Sequence, residues 1–392
     1  MLNSAGVASM QAALRDAGYD GWLLYDFRGI NAIASGLVGI KGFVSRRWFV
    51  WVPVSGTPTA ITHVIEQNPW TWWPAEWENR QYSAWPVLES EIARLVKGKK
   101  IVMEYSPGDA VPYVDYVPAG MLELVRAAGA TVETSGDLVT RFLAVWNDEQ
   151  RRTHSIAAEQ LKEIAYGAFK KAGTAARAGT PINEWQLTEW MRSEFDRLGL
   201  WTDHGPNVSA MANAANPHYD PTPESSSVIN VGDIVLIDLW AKHPDGMWAD
   251  QTYMASIGEP SAKAKEIWTT VRDARDAAIT LLKKAIAAGG KVSGGAADDA
   301  ARAVIVKAGY GQYFTHRTGH SIDASGLHGS GAHLDNLETR EERGLIEGVG
   351  FSIEPGIYIP GEIGMRSEVN AYVHNGQLVV TPKEPQVDLV IV

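Results

Sequence analysis

Four carboxylates stand in β-type, largely apolar runs of the C-terminal half: Asp238 in VLIDLW, Asp250 in MWADQTYM, Glu354 in FSIEPGIYIP and Glu368 in GMRSEVNAYV. A charge at the end of an otherwise buried strand is costly unless it is paired or bound to a cation. His316, His320 and His328 lie together in HRTGHSIDASGLHG, and with His333 they account for four of the ten histidines. Imidazole is the commonest metal ligand and the usual proton shuttle, so acids and histidines in this mixture suit either metal binding or acid–base work. The chain has no cysteine, so any metal must sit on oxygen and imidazole, and disulfides and thiol nucleophiles are excluded. The spacing of His316 and His320 mimics a helical zinc pair, but Gly319 and the lack of a glutamate after His316 argue against that helix. Taken singly, each glutamate reads equally as a satisfied structural carboxylate, and the two aspartates as a surface or turn feature. Their joint order is what points to a shared metal centre.

Secondary structure must then deliver these side chains. The run into Asp238 reads as a strand, residues 243–246 as a turn, and the run through Asp250 as the returning strand. Pro355-Gly356 forces a turn straight after Glu354. Upstream, Asn147 with Gln150 forms a capping box opening a helix over 147–174, and a second helix is capped by Asn183 and stopped at Gly199. A helix over 261–288 ends at Gly289-Gly290, and a shorter one over 296–308 ends at Gly309. Two successive helix-helix-strands units suggest a structural duplication. A site between such halves draws ligands from both. Residues 1–143 read as a smaller α/β unit with strands near 22–25, 48–52 and 100–104 and an amphipathic helix near 121–128. Its tryptophan-dense loop, with Trp70, Trp72, Trp73 and Trp77, reads as packing under a loop or at a subunit interface, with an apolar wall of a binding site as the sharper option.

The whole chain bounds these readings. Its 392 residues suggest two or three domains, each with its own core. A net charge of -11 with no basic block argues against a nucleic-acid partner. Arg15 and Asp16 interrupt the N-terminal stretch, and no apolar run is long enough to span a bilayer, so a cytoplasmic protein without a membrane partner is expected.

The ordered set Asp238, Asp250, His320, Glu354 and Glu368 resembles the pita-bread metallopeptidase family, which includes methionine aminopeptidases, Xaa-Pro aminopeptidases, prolidases and creatinase. The resemblance runs from about residue 150 to the end. It implies an α+β fold: a pita-bread catalytic domain over 144–392 with pseudo-twofold halves, preceded by a creatinase-like α/β domain over 1–143. It implies two divalent metal ions, manganese first and cobalt or zinc as alternatives, held by those five residues, with Asp250 and Glu368 bridging. Four carboxylates balance two divalent cations. Glu354 is the expected proton carrier. His218 in NAANPHYDP and His328 match the histidines placed near the scissile carbonyl, where a donor is worth roughly 3 to 4 kcal/mol. Arg366 matches an arginine that either binds the substrate carboxylate or orients Glu368, and His316 divides between substrate contact and support of the ligands. Departures from the family pattern are a gap between the aspartates one residue longer than usual, Met247 in place of a tyrosine, and Thr252-Tyr253-Met254 in place of Thr-Arg-Thr. The resemblance implies hydrolysis of Xaa-Pro bonds, first of dipeptides ending in proline, in a homodimer built through the N-terminal domain. The rival readings are an Xaa-Pro aminopeptidase on longer peptides, a C–N hydrolase or lyase of a small metabolite, and a binding protein without turnover.

Overall fold

The apolar stretches of the first 143 residues fold as a six-stranded mixed sheet in the computed structural model, which describes residues 2–324 and 326–392. Its elements are α1 (Ser4–Ala17), β1 (Gly21–Asp26), α2 (Ala32–Val38), β2 (Trp48–Pro53), β3 (Thr59–His63), β4 (Glu78–Tyr82), α3 (Trp85–Val96), β5 (Lys100–Met103), α4 (Ala119–Ala127), β6 (Thr131–Thr134) and α5 (Gly136–Leu143). The strands lie in the order β4-β3-β2-β1-β5-β6, antiparallel at β1–β2 and β2–β3 and parallel elsewhere. Alternation along β1 explains the layering: Trp22 and Leu24 enter one apolar core, and Leu23 and Tyr25 enter the other. Trp70, Trp73 and Trp77 are 4%, 9% and 7% exposed and pack edge to face at 5.0–5.6 Å inside the first core. The tryptophan loop is therefore mostly core. Only Trp72, 38% exposed, is left as a ring that another molecule can touch.

The second compact unit begins at Ala144. It contains α6 (Asp148–Arg177), α7 (Glu184–Leu198), β7 (Asn207–Ala210), β8 (Ile234–Ala241), β9 (Ala249–Ser256), α8 (Ala262–Ala287), α9 (Gly294–Lys307), β10 (Ser321–Ile322), β11 (Gly350–Ile353), β12 (Gly356–Ile359), β13 (Ile363–Arg366), β14 (Val369–His374), β15 (Gln377–Thr381) and β16 (Val390–Ile391). Two helices followed by a mainly antiparallel sheet occur twice, with the C-terminal β16 joining the first sheet parallel to β9. The first sheet runs β16-β9-β8-β7, the second β10-β11-β14-β15, and β12 pairs with β13 as a separate ribbon. Caps set the helix starts. Asn147 and Gln150 exchange side-chain and backbone hydrogen bonds at the start of α6, and Asn183 and Gln186 do the same at α7. The repeat extends to these caps, because Asn183 bridges to Val228 in one half as Ser293 bridges to Gly344 in the other.

Helix α9 starts two residues ahead of the sequence expectation, because Ser293 rather than a later residue is its cap. Glycine in the first turn is a packing requirement: a Cβ on Gly294 would come within 1.6 Å of the His333 carbonyl oxygen. Helices α6 and α7 cover the first sheet through Leu161, Phe169, Leu187 and Met191, and α8 and α9 join the core of the second through Ile267, Val271, Leu282 and Ile305. The open faces of the two sheets carry the polar side chains described next.

Candidate metal centre

Antiparallel register brings the four acids together in pairs. Asp238 lies opposite Thr252 and Trp240 opposite Asp250, so Asp238 and Asp250 share one face of the β8–β9 hairpin. The pairing of Ile353 with Val369 makes Glu354 and Glu368 the next opposed residues, one just beyond β11 and the other just before β14. His320 precedes β10 and is fixed at both ends, its N–H donating to Ser352 Oγ at 2.9 Å and its C=O accepting from Ser352 N–H at 2.9 Å.

These pairs meet. Asp250, His320 and Glu368 are buried, and each offers a ligand atom within 4.8 Å of the other two. His320 Nε2 is 3.2 Å from Asp250 Oδ2 and 3.5 Å from Glu354 Oε1. Arg366 Nη2 contacts Asp238 Oδ2, and Arg366 Nε donates to Thr252 Oγ1 at 2.7 Å. The Thr252 hydroxyl is in turn 2.8 Å from Glu368 Oε2 and 3.4 Å from Asp238 Oδ1.

Four carboxylates thus share this space with one guanidinium, and Asp250 and Glu368 respond to the excess of negative charge. Burial first, then the charges of Asp238 and Glu354, push Asp250 well above the usual carboxylate range. Burial, then Asp250 and Glu354, does the same to Glu368. Glu354 differs. Burial pushes it up, but His320, Arg366 and His316 outweigh that and hold it below its ordinary value. Burial lowers His320, which keeps its ring neutral and able to donate a lone pair. Glu368 Oε1 is buried with no hydrogen-bond partner among the described residues. An orphaned carboxylate oxygen beside an imidazole and a second high-pKa carboxyl is what a divalent cation would satisfy, so the donor set fits metal binding by oxygen and nitrogen.

The other sequence candidates divide. His316 is half-buried, with Nε2 2.8 Å from Tyr358 Oη and Nδ1 2.6 Å from the Arg317 carbonyl. His328 is exposed but places its ring centroid 4.1 Å from that of His320, and this neighbour, with partial desolvation, pushes it down to about 3. His218 stays apart from this set. It is exposed, and among the described residues its only hydrogen bond is from its backbone N–H to Asn216 Oδ1.

Met247 packs with Trp146, Trp240 and Trp248. Tyr253 neighbours Thr252 on the strand and so points to the opposite face, where its hydroxyl donates to Gln251 Oε1 at 2.8 Å and its ring meets Tyr166. That departure from the family pattern therefore lies away from the acids. The sequence reading missed Ser352, which donates to Glu354 Oε1 at 2.9 Å, and Asn370, which hydrogen-bonds the main chain of Asp250. A spacing of two residues from Glu354 and Glu368 was the available signal for both.

A two-half α+β unit with this acid and imidazole cluster at its centre defines a class of metallopeptidase. Residues 150–375, more than half of the chain, match the model of Metallopeptidase family M24, and the chain belongs to that family. It is 41% identical over 162 residues to the Xaa-Pro dipeptidase of Lactobacillus helveticus, covering 41% of this chain and 40% of that protein. It is 36% identical over 210 residues to the Xaa-Pro dipeptidase of Lactobacillus delbrueckii subsp. lactis, covering 53% and 50%. The matches thus span half or less of the length of these two relatives. Among solved structures, dipeptidase PepE from Mycobacterium ulcerans superposes over 99% of this chain and 97% of its own with a TM-score of 0.70 at 22% identity, a likeness of fold.

Proposed function

We propose that this chain is a dinuclear metal-dependent peptidase that cleaves Xaa-Pro bonds, acting on dipeptides with C-terminal proline. The observation that carries the reading is the unpartnered, buried Glu368 Oε1 among Asp250, His320 and a surplus of carboxylates. Membership of the M24 family and the names of the Lactobacillus relatives support the peptide substrate. Asp238, Asp250, His320, Glu354 and Glu368 would hold two divalent cations, with manganese preferred for a carboxylate-rich set and cobalt or zinc as alternatives. When bound, such cations supply Lewis acidity, polarising a carbonyl and lowering the pKa of water toward about 7.

The chain's own groups do the rest. Glu354, held ionised by its neighbours, takes a proton from the attacking water and passes it to the leaving nitrogen. His328 is neutral and stands against His320, so its ring N–H is free to donate to the oxyanion; His218, on its exposed loop, is assigned the same task once substrate is bound. Arg366 turns its donors to Asp238 and Thr252, which favours orienting the ligands over gripping a substrate carboxylate. His316 joins Tyr358 behind Glu354 as support. A homodimer through the N-terminal unit is part of the proposal, and Phe43, Ile65 and Trp85 at 66%, 65% and 48% exposure on that unit support it. Among the described residues no helix is long and apolar enough to cross a membrane, and a cytoplasmic location is proposed.

The test is a panel of Xaa-Pro dipeptides, Xaa-Pro tripeptides and proline-free controls, assayed with metal-stripped protein reloaded with manganese, cobalt or zinc. Fast turnover of the dipeptides alone is expected. Preference for tripeptides would reassign the chain as an aminopeptidase, and no amide cleavage by protein holding two metals would leave the C–N hydrolase, lyase or binding readings.

A further inference from the structure

Strand β9 is paired along its whole length with β8, but on its other edge β16 reaches only Ala255 and Ser256. Residues in an antiparallel pair turn their N–H and C=O alternately toward and away from the partner strand, which leaves Asp250, Thr252 and Met254 with outward peptide groups at a buried edge. The other half of the unit supplies what is missing. Asn370 Oδ1 accepts from the Asp250 N–H at 2.9 Å while Asn370 Nδ2 donates to the Asp250 C=O at 2.7 Å. The Glu368 N–H donates to the Thr252 C=O at 3.3 Å. Gln386 then repeats the clip at Met254, accepting from its N–H at 2.9 Å and donating to its C=O at 2.6 Å. A side-chain amide carries the same donor and acceptor as a peptide, so Asn370 and Gln386 continue the ladder where no strand runs.

The two clips differ in what they hold. Asn370 is fully buried on β14 two residues beyond Glu368, so its side chain shares a face with that acid, and the main chain it grips is that of Asp250. His154 braces the same junction. Its Nδ1–H donates to the Trp248 C=O at 2.6 Å, two residues before Asp250, and its Nε2 is 2.7 Å from the hydroxyl of Thr381, the strand partner of Asn370. Among the described residues Gln386 hydrogen-bonds Met254, Asp388 and Arg275 and none of the acid cluster. We propose that Asn370 is a positioning residue of the metal centre: through the main chain of Asp250 it fixes the separation between one acid from the first half and Glu368 from the second. This rests on the dinuclear reading above.

Gln386 provides the control, since removing either amide opens the same kind of gap in the same edge. Asn370→Ala, Asn370→Ser and Gln386→Ala are compared with the parent protein by calorimetric titration of the metal-stripped chains with manganese alone, alongside thermal unfolding of each. Loss of outer support for a metal ligand costs about 10- to 100-fold in affinity. Both Asn370 variants are expected to bind the second manganese that much more weakly, serine included because its hydroxyl is one atom too short to reach either peptide group of Asp250. Gln386→Ala is expected to melt earlier yet to bind manganese within about threefold of the parent, as a remote site should. Parent-like titrations of both Asn370 variants, or an equal loss in Gln386→Ala, would overturn the assignment while leaving the metal site standing. A parent chain that takes up no manganese would instead overturn the dinuclear reading and this inference with it.

Discussion

Two sets of buried acids in the second unit have opposite surroundings. Glu184, at the start of α7, accepts from the backbone N–H groups of Ala210 and Ser227, the Asn213 amide and the Tyr219 hydroxyl at 2.7–3.0 Å. Asp298, in α9, accepts from the Thr318 N–H and hydroxyl, the Asn336 N–H and Arg302. Both are saturated by donors and hold loops in place. Asp250 and Glu368 are buried too, yet they face other carboxylates, and among the described residues one oxygen of Glu368 has no donor. Burial alone therefore does not mark a ligand. The mark is burial with too few donors, because a carboxylate that is structurally complete leaves no lone pair for a cation.

The largest expected effect comes from removing charge on the unsaturated side. Glu368→Gln should lower peptidase activity by more than the roughly 100-fold ceiling typical of outer-shell changes, and should abolish tight binding of two manganese ions in calorimetry. In the metal-free protein the sign reverses. Neutralising an acid crowded by Asp250 and Glu354 relieves repulsion, so the melting temperature of the stripped variant should rise, by about 2–4 °C per kcal/mol gained for a unit of this size. A stripped variant that melts below the stripped parent would contradict the electrostatic account.

On the saturated side the same kind of change should cost stability and spare metal binding. Glu184→Ala leaves the backbone N–H groups of Ala210 and Ser227 without their acceptor, while among the described residues the Tyr219 hydroxyl and the Asn213 amide keep only Ser225 and Ser227. A loss of about 3–5 kcal/mol is expected, read as a lower urea midpoint at unchanged slope, with manganese stoichiometry intact. Loss of metal at full stability would erase the distinction between the two sets.

Much of this comparison was legible in the sequence, and its limits are physical. Cap residues are local, so Asn147, Asn183 and Gly199 announce their helix ends directly. The acids are legible because charge inside an apolar strand is anomalous wherever the strand goes. Asn370 gave only its two-residue spacing from Glu368, since its role depends on β14 approaching the bare edge of β9, a contact between residues 120 apart. Trp73 and Trp72 are neighbours with the same side chain, and only the packing of the loop onto Trp70 and Trp77 separates core from surface. The cap at Ser293 was not legible, because the need for glycine straight after it comes from the His333 carbonyl, which leaves no room for a Cβ on Gly294.

The titration of Asp250 and Glu368 gives a third test of intermediate size. Both folded-state pKa values lie above their unfolded ones, so from the ordinary carboxylate range upward the unfolded chain has released protons that the folded, metal-free protein still binds. Stability then falls as pH rises through that window, by about 1.4 kcal/mol per pH unit for each proton retained. Bound cations remove the excess protons. The melting temperature of the stripped protein is expected to drop as pH rises above the ordinary carboxylate range while that of the manganese-loaded protein does not. Parallel curves would mean that the two acids are not strained by one another.

The smallest effect is expected at Ser352, which sits between the two kinds of environment. Its hydroxyl accepts from the His320 N–H and donates to Glu354 Oε1, making Glu354 the one acid of the centre with a hydroxyl donor close by on its own strand run. Ser352→Ala removes that donor and leaves a buried N–H unpaired, at a cost of about 1 kcal/mol. The carboxyl of Glu354 is held low against the pull of burial by His320, Arg366 and His316, and it loses one further stabiliser of its ionised form. Its pKa should rise. If Glu354 must be ionised to accept a proton, the acid limb of the kcat/KM profile should move to higher pH by less than about one unit, with the plateau nearly unchanged. A shift to lower pH, or a plateau that collapses without any shift, would place the proton acceptor elsewhere and return Glu354 to a purely ligating role.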